Sequence, residues 1–452
     1  MELISPTDSL FLLAESREHP MHVGGLQLFE PPAEAGPDFI RELYQSMLAN
    51  DDVQPTFLKR PAELFGGIAN VAWSFDRDID LEYHLRRSAL PSPGRVRELL
   101  ELTSRLHGVL LDRHRPLWET HLIEGLNDGR FAVYTKVHHA LVDGVTAMKL
   151  MRRALSPDAA DHDIRVPWTT TPRRRGREVP TSRLSELGNI LGSVAALGPS
   201  MLTVARAALF EQQLTLPFGA PKTMFNVPIG GARRTAAQSW PIKRFLAIKG
   251  AAGVTLNDVV LAMCAGALRA YLVEHDALPD KPLIAMVPVN LRTANDNSTG
   301  GNQVGTILCN LATDLDDPAE RLEAIHASMR GNKEVFSQLP KLQQLALSAF
   351  NVAPMALTLV PALGTAAPPP FNIVISNVPG AREPLYWNGA RLNGNYPMSI
   401  ATEGQALNIT LTNNADNLDF GLVGCRRSVP HLQRLLRHLE DSLSSLEKAV
   451  GV

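Results

Sequence analysis

The chain has 452 residues, 45% of them apolar, and a formal net charge of −2. That length exceeds one ordinary domain and predicts two, each able to bury a core. The near-neutral balance excludes the basic surplus of nucleic-acid binders, and three widely spaced cysteines, Cys264, Cys309 and Cys425, exclude a disulfide framework and fit buried thiols in a reducing compartment.

The first twenty residues lack a basic stretch ahead of their short apolar run and contain Asp8 and Glu15, so no secretory signal is expected. Residues 21–30 have the Val, Leu and Phe content of a strand. Residues 37–50 set Phe39, Leu43 and Met47 at helical spacing, and residues 96–112 predict an amphipathic helix. Residues 117–126 and 129–139 read as paired strands across an Asn-Asp-Gly turn. Residues 142–155 then open a helix, with Asp143 near its N-terminus.

Residues 156–180 lose periodicity and predict a mobile linker or crossover. Its basic run, Arg173–Arg177, reads as a solvated loop or as a contact for an anionic lipid surface or ligand phosphates. Residues 181–213 predict one or two helices interrupted by glycines and Pro199, and a second domain begins near residue 214. Thr255 is placed to cap a helix over 255–275, with Asp258 in capping-box position. Strands follow at 283–292, 301–313, 371–380 and 407–424, and an amphipathic helix closes the chain at 429–450. No charged residue occurs between Lys341 and Arg382, but the prolines there argue against a membrane-spanning helix. That stretch reads as buried core helices, a wall for an apolar substrate, or a membrane-touching patch.

The chemistry concentrates at residues 138–144, His-His-Ala-Leu-Val-Asp-Gly. Side chains alternate faces along a strand, so His138 and His139 point opposite ways and do not share one metal. No other cluster suggests a metal site. One ring is expected to face a cleft and the other the core. A histidine at a strand end suits a general base, because its pKa lies near neutrality. Asp143 is placed to hold the turn through an arginine or through backbone N–H groups. Gly144 is expected to let the turn close without a clash. The seven-residue spacing of His107, His114 and His121 is broken by Pro116 and reads as coincidence.

The H-H-x-x-x-D-G string at a strand-to-helix junction resembles the signature of the CoA-dependent acyltransferase superfamily. Other stretches narrow the likeness. Residues 5–30, the Pro116-Leu117-Trp118 triplet, Asn257-Asp258 and Asn377-Val378-Pro379 resemble, in order, motifs of the bacterial wax ester synthase/diacylglycerol acyltransferase family. The likeness covers essentially the whole chain. It implies a mixed α/β (α+β) fold of two chloramphenicol acetyltransferase-like domains, each a mostly antiparallel sheet with helices, with the active-site tunnel at their interface. The expected division is 1–155 for the domain carrying the histidines, 156–213 for a crossover, and 214–452 for the second domain.

The implied reaction moves a long-chain acyl group from acyl-CoA, a co-substrate rather than a bound cofactor, to a diacylglycerol or a long-chain alcohol. The products are triacylglycerol or wax ester. His139 is the implied general base and His138 is structural. Asn257 is a candidate polar group near the reacting centre. Asn377 is another, or shapes its turn. Arg292 is the candidate partner of Asp143, and Pro116 and Trp118 are read as packing under the site. No G-x-S-x-G elbow occurs, which disfavours an acyl-enzyme. The family likeness also implies a cytoplasmic protein held peripherally at a membrane or lipid inclusion. Two other readings stay open: transfer from carrier-protein or polyketide thioesters, and a non-catalytic lipid-binding scaffold.

Overall fold

The computed structural model describes residues 2–62, 72–169, 219–290, 304–338, 347 and 368–452. In chain order the first half holds β1 (Glu2–Leu3), α1 (Pro6–Ala14), β2 (His22–Glu30), α2 (Phe39–Leu48), β3 (Lys59–Pro61), β4 (Ala72–Phe75), α3 (Leu81–His84), β5 (Leu85–Ala89), α4 (Val96–His107), β6 (Trp118–Glu124), β7 (Phe131–His138) and α5 (Gly144–Arg153). The second half holds β8 (Arg233–Pro241), α6 (Ile242–Ala252), α7 (Leu256–Glu274), β9 (Ile284–Asn290), β10 (Val304–Asn310), α8 (Pro318–Gln338), β11 (Ile373–Ala381), β12 (Tyr386–Trp387), β13 (Ala390–Met398), β14 (Leu407–Asn414), β15 (Asn417–Cys425) and α9 (Arg434–Val450). The fold is mixed α/β, as expected.

Two six-stranded sheets dominate. The first runs β12-β13-β2-β7-β6-β5, the second β10-β9-β11-β14-β15-β8. Antiparallel pairs prevail in the first, where only β5–β6 is parallel. The second mixes types, with β11 parallel to both β9 and β14. The second sheet's core forms around α7, whose residues 258–265 are all buried. An almost continuously apolar helix is stable only if surrounded, so this segment, long and apolar enough to cross a membrane, serves here as a core helix. Its start is the predicted capping box: Thr255 Oγ accepts from the Asp258 N–H, and the Asp258 carboxylate accepts from the Thr255 N–H.

The sheets are not partitioned by chain position. Strands β12 and β13, which periodicity alone did not reveal, leave the second half and extend the first sheet, Met398 opposite Gly24 and Arg391 opposite Glu30. β13 then packs on β15 of the second sheet. The buried Asp419 carboxylate on β15 accepts from the Asn395 N–H at 2.6 Å and from Asn414 Nδ2 at 2.9 Å. Burial pushes its pKa up to about 6. Tyr396 meets Ser239 hydroxyl to hydroxyl at 3.0 Å. This seam requires Gly421, because a Cβ there would overlap the Pro397 carbonyl.

The expected mobile linker is corrected over its first part. Residues 156–169 are fastened to the first sheet: Ser156 and Tyr386 exchange backbone hydrogen bonds, and the fully buried Trp168 stacks on Trp118 at 5.0 Å. The apolar stacking surface outweighs the irregular backbone signal there. Arg173–Arg177, residues 181–213 and most of 342–367 lie outside the described residues. Replacing Gly421 by Ala is expected to destabilise the fold by about 1–3 kcal/mol through overpacking at the seam, read as a lowered Tm and denaturation midpoint.

Candidate active site

Strand β7 ends at His138, and the chain turns through residues 139–143 into α5. Alternation works as the sequence predicts. The His138 ring is fully buried; its Nδ1 accepts the Ala140 N–H at 3.0 Å, so the ring proton sits on Nε2, 3.3 Å from Glu15 Oε1. Glu15, at the end of α1, also accepts from Arg113 Nε at 3.0 Å and from the Met21 N–H at 3.2 Å. Its own burial raises its pKa, but hydrogen bonding and charge from His138 and Arg113 outweigh that and hold the carboxyl below its usual range. Nothing in the sequence distinguished Glu15 beyond its place in an N-terminal motif.

His139 faces the other way and is half-buried. Its N–H donates to the Met21 carbonyl at 2.8 Å, which fixes the backbone. Its ring stacks on Phe11 of α1, centroids 4.2 Å apart and planes within 22°. Among the described residues no side chain hydrogen-bonds that ring. Burial lowers its pKa to about 4, opposed by the nearby Asp143 charge and assisted by His138. The ring is therefore neutral at physiological pH and has a lone pair available.

Asp143 is the N-cap of α5. Its Oδ1 accepts the Thr146 N–H at 2.9 Å and its Oδ2 accepts the Thr146 hydroxyl at 2.7 Å. Of the two expectations for this side chain, the backbone N–H is the one realised, and Arg292 lies outside the described residues. The reason expected for Gly144 is corrected. A Cβ there would meet nothing within 4 Å, so no clash is relieved. Gly144 instead lines an open cavity.

That cavity, about 300 Å³, lies between the two sheets. His139, Asp143, Gly144 and Met148 come from the turn and α5, and Gly24 from β2. The opposite wall brings Met286 and Pro288 of β9, Thr306 of β10, Val374, Ser376 and Val378 of β11, and Thr410 of β14. Neither Asn257 nor Asn377 is among the lining residues. Asn377 shares its strand face with Ile375, which enters the second core, whereas the alternate residues 374, 376 and 378 face the cavity. Asn257 lies in the first turn of α7, beside the capping box. Ser376 is a polar cavity-lining residue that the sequence reading did not single out. It is adjacent to the asparagine of the recognised motif, and only the phase of the strand separates them.

Pro116 and Trp118, expected to pack under the site, are not among the residues lining the cavity. Both are buried; the indole donates to the Phe57 carbonyl at 2.9 Å and stacks on His84 at 4.6 Å. The middle residue of that triplet, Leu117, accepts the His138 N–H through its carbonyl at 3.0 Å, so the motif supports the end of β7. His107 joins the same frame: Tyr134 donates its hydroxyl to Nδ1 at 2.7 Å, and Nε2 donates to the Ser399 carbonyl at 3.2 Å. Burial drives its pKa down to about 3. No group of three or more His, Cys, Asp or Glu able to hold a metal occurs among the described residues.

Because His139 and His107 are neutral when folded but titrate near 6.5 when unfolded, the unfolded chain binds more protons between those values. Stability is thus full above pH 6.5 and falls as pH drops toward 4. NMR titration of the ring resonances should place His139 near 4, and Tm should decline on the acid side by less in His107→Gln than in wild type.

Comparison with known proteins follows the same geometry. The family model "Wax ester synthase/diacylglycerol acyltransferase catalytic domain" matches residues 4–260, and "WS/DGAT C-terminal domain" matches residues 300–447. A probable diacylglycerol O-acyltransferase of Mycobacterium tuberculosis is 66% identical over the full length of both chains. An O-acyltransferase of Acinetobacter baylyi is 42% identical, covering 100% of this chain and 98% of its own. The solved wax ester synthase/diacylglycerol acyltransferase of Marinobacter aquaeolei is 43% identical, with a TM-score of 0.81 and full coverage of both chains. A condensation domain of the calcium-dependent antibiotic synthetase, 18% identical with a TM-score of 0.59, shares the fold. The chain belongs to the wax ester synthase/diacylglycerol acyltransferase family.

Proposed function

We propose that this O-acyltransferase, which moves a fatty acyl group from acyl-CoA to the hydroxyl of a diacylglycerol or long-chain alcohol, does so by direct transfer with His139 as general base. The observation that carries the reading is a neutral histidine ring, free of side-chain hydrogen bonds among the described residues, at the wall of a cavity between two sheets. An alcohol oxygen is a poor nucleophile until its proton is leaving. His139 accepts that proton as the oxygen attacks the thioester carbonyl. The tetrahedral intermediate collapses, the C–S bond breaks, and CoA leaves as a thiolate to which the imidazolium returns the proton.

Burial keeps His139 unprotonated but makes it a weaker base, and the Asp143 charge opposes this. In this reading Asp143 both caps α5 and steadies the imidazolium that forms during attack. His138, pinned between Ala140 and Glu15, holds the turn. The Ser376 hydroxyl at the cavity wall supplies the oxyanion donor first sought in Asn257 and Asn377. The apolar wall of Met148, Met286, Val374 and Val378 suits an alkyl chain. We further assign the two sheets to chloramphenicol acetyltransferase-like domains, the first taking in 1–155 and borrowing β12 and β13 from the otherwise second domain 214–452, with 156–213 as the crossover and the cavity as part of a tunnel between them. We place the protein in the cytoplasm, at a membrane or lipid-inclusion surface. Buried free thiols at Cys264, Cys309 and Cys425 support a reducing compartment.

The test is a purified-protein assay with palmitoyl-CoA and either dipalmitoylglycerol or hexadecanol, following CoA release and lipid product. His139→Ala is expected to lower kcat by roughly 10²–10⁴. No ester from folded wild-type protein with either acceptor would sink the reading in favour of carrier-bound thioesters or a scaffold. Asp143→Asn retains a good N-cap while removing the charge. It should leave Tm within about 2 °C of wild type, shift the His139 titration lower, and cut kcat roughly tenfold.

A further inference from the structure

We infer that Phe11 is a positioning residue for the transfer: its ring sets the plane of the His139 imidazole and steadies the positive charge that the imidazole gains during attack. This rests on the reading of His139 as general base. A base needs its lone pair aimed at the proton it takes. A histidine is commonly aimed by a carboxylate or carbonyl at its other nitrogen. His138 has such a carboxylate in Glu15, but it is His139 that lines the cavity. Among the described residues no carboxylate hydrogen-bonds the His139 ring. Both Asp143 oxygens accept from Thr146, and the ring's hydrogen-bonding neighbour is its own backbone. The side chain in face contact with the ring is Phe11, centroids 4.2 Å apart and planes within 22°. A flat face resists rotation of the imidazole in a way that a flexible apolar chain does not.

Phe11 is itself held. α1 begins at a Ser5 cap, whose hydroxyl accepts the Asp8 N–H at 3.1 Å. Its far end is fastened by Arg113, which donates to the Leu12 carbonyl and to Glu15. Phe11 packs on the cluster that contains Leu12, Leu111, Leu117 and Ala140, the last being the residue after His139. Side chains four apart lie one helical turn from each other. Phe11 and Glu15 therefore reach the adjacent histidines from one side of α1, Phe11 to His139 and Glu15 to His138. The electrostatic sense agrees with the geometry. The face of a benzene ring is the negative end of its quadrupole and attracts a cation. The neutral imidazole gains less from that face than the imidazolium of the transition state, and only such a difference speeds the chemical step.

The experiment uses the full-length protein with Phe11→Leu and Phe11→Met, which keep apolar bulk, and Phe11→Tyr and Phe11→Trp, which keep a flat ring. Each is made in the wild-type and the His139→Ala backgrounds, and Tm identifies the folded variants to be compared. With palmitoyl-CoA and hexadecanol, the leucine and methionine variants should lose roughly three- to tenfold in kcat, with KM within about twofold of wild type. A folded flat-ring variant should recover most of that loss. In NMR spectra at neutral pH the His139 ring protons should lose their ring-current shift in Phe11→Leu and keep it in the flat-ring variant. The Asp143 and His138 charges that act on His139 are the same in every variant made in the wild-type background. His139 should therefore titrate lower in Phe11→Leu, because the imidazolium has lost a partner. A merely loosened packing would admit water and move it the other way, toward 6.5. In the His139→Ala background Phe11→Leu should cost nothing further. Undiminished kcat in the folded leucine and methionine variants would overturn the inference, as would a raised His139 pKa or an equal loss in the His139→Ala background. Wild-type kcat in His139→Ala itself would instead overturn the general-base reading, and this inference with it.

Discussion

The site depends on one constraint: the burial of His138. Nδ1 of its fully buried imidazole accepts the Ala140 N–H, and the Glu15 carboxylate lies 3.3 Å from Nε2 as an ion-pair neighbour. That pair fixes the tautomer, ends the strand, and ties the turn to a helix more than a hundred residues earlier in the chain. With His138 held, strand alternation leaves His139 only the cavity side. The adjacent histidines thus divide the work, one holding the backbone and one presenting a lone pair.

The same economy extends outward. Asp143 satisfies the Thr146 N–H in the first turn of α5 while its charge lies near His139. Leu117 of the Pro-Leu-Trp triplet accepts the His138 N–H while the neighbouring tryptophan fills the core. Each motif residue that carries chemistry stands beside one that carries packing. For this reason the motifs span short runs rather than single positions.

The cavity itself belongs to neither sheet alone. His139 and its near wall come from the first sheet and α5, and its facing wall from β9, β10, β11 and β14. β13 links the two, hydrogen-bonded within the first sheet and packed through Asn395 and the Pro397 carbonyl against β15. Any loosening of that seam would open the wall opposite His139. The shape of the cavity beside His139 therefore rests on packing far from the histidines.

Local pattern was enough to find the strand carrying His138 and His139, the helix opened by Asp143, and the capping box of Thr255 and Asp258. Each depends on neighbours within a few residues, where periodicity and hydrogen-bond geometry act. The opposed directions of the two rings followed from the strand's two-residue repeat. Tertiary structure decided what depends on distant partners. Glu15 could not be matched to His138 from sequence, because the two meet only when α1 folds over the turn. Strand β13 joined the first sheet although it lies in the chain's second half. On β11 the phase of the strand pointed Ser376, and not Asn377, into the cavity, since a single step along a strand reverses a side chain's face and only the opposing core determines which face is inward.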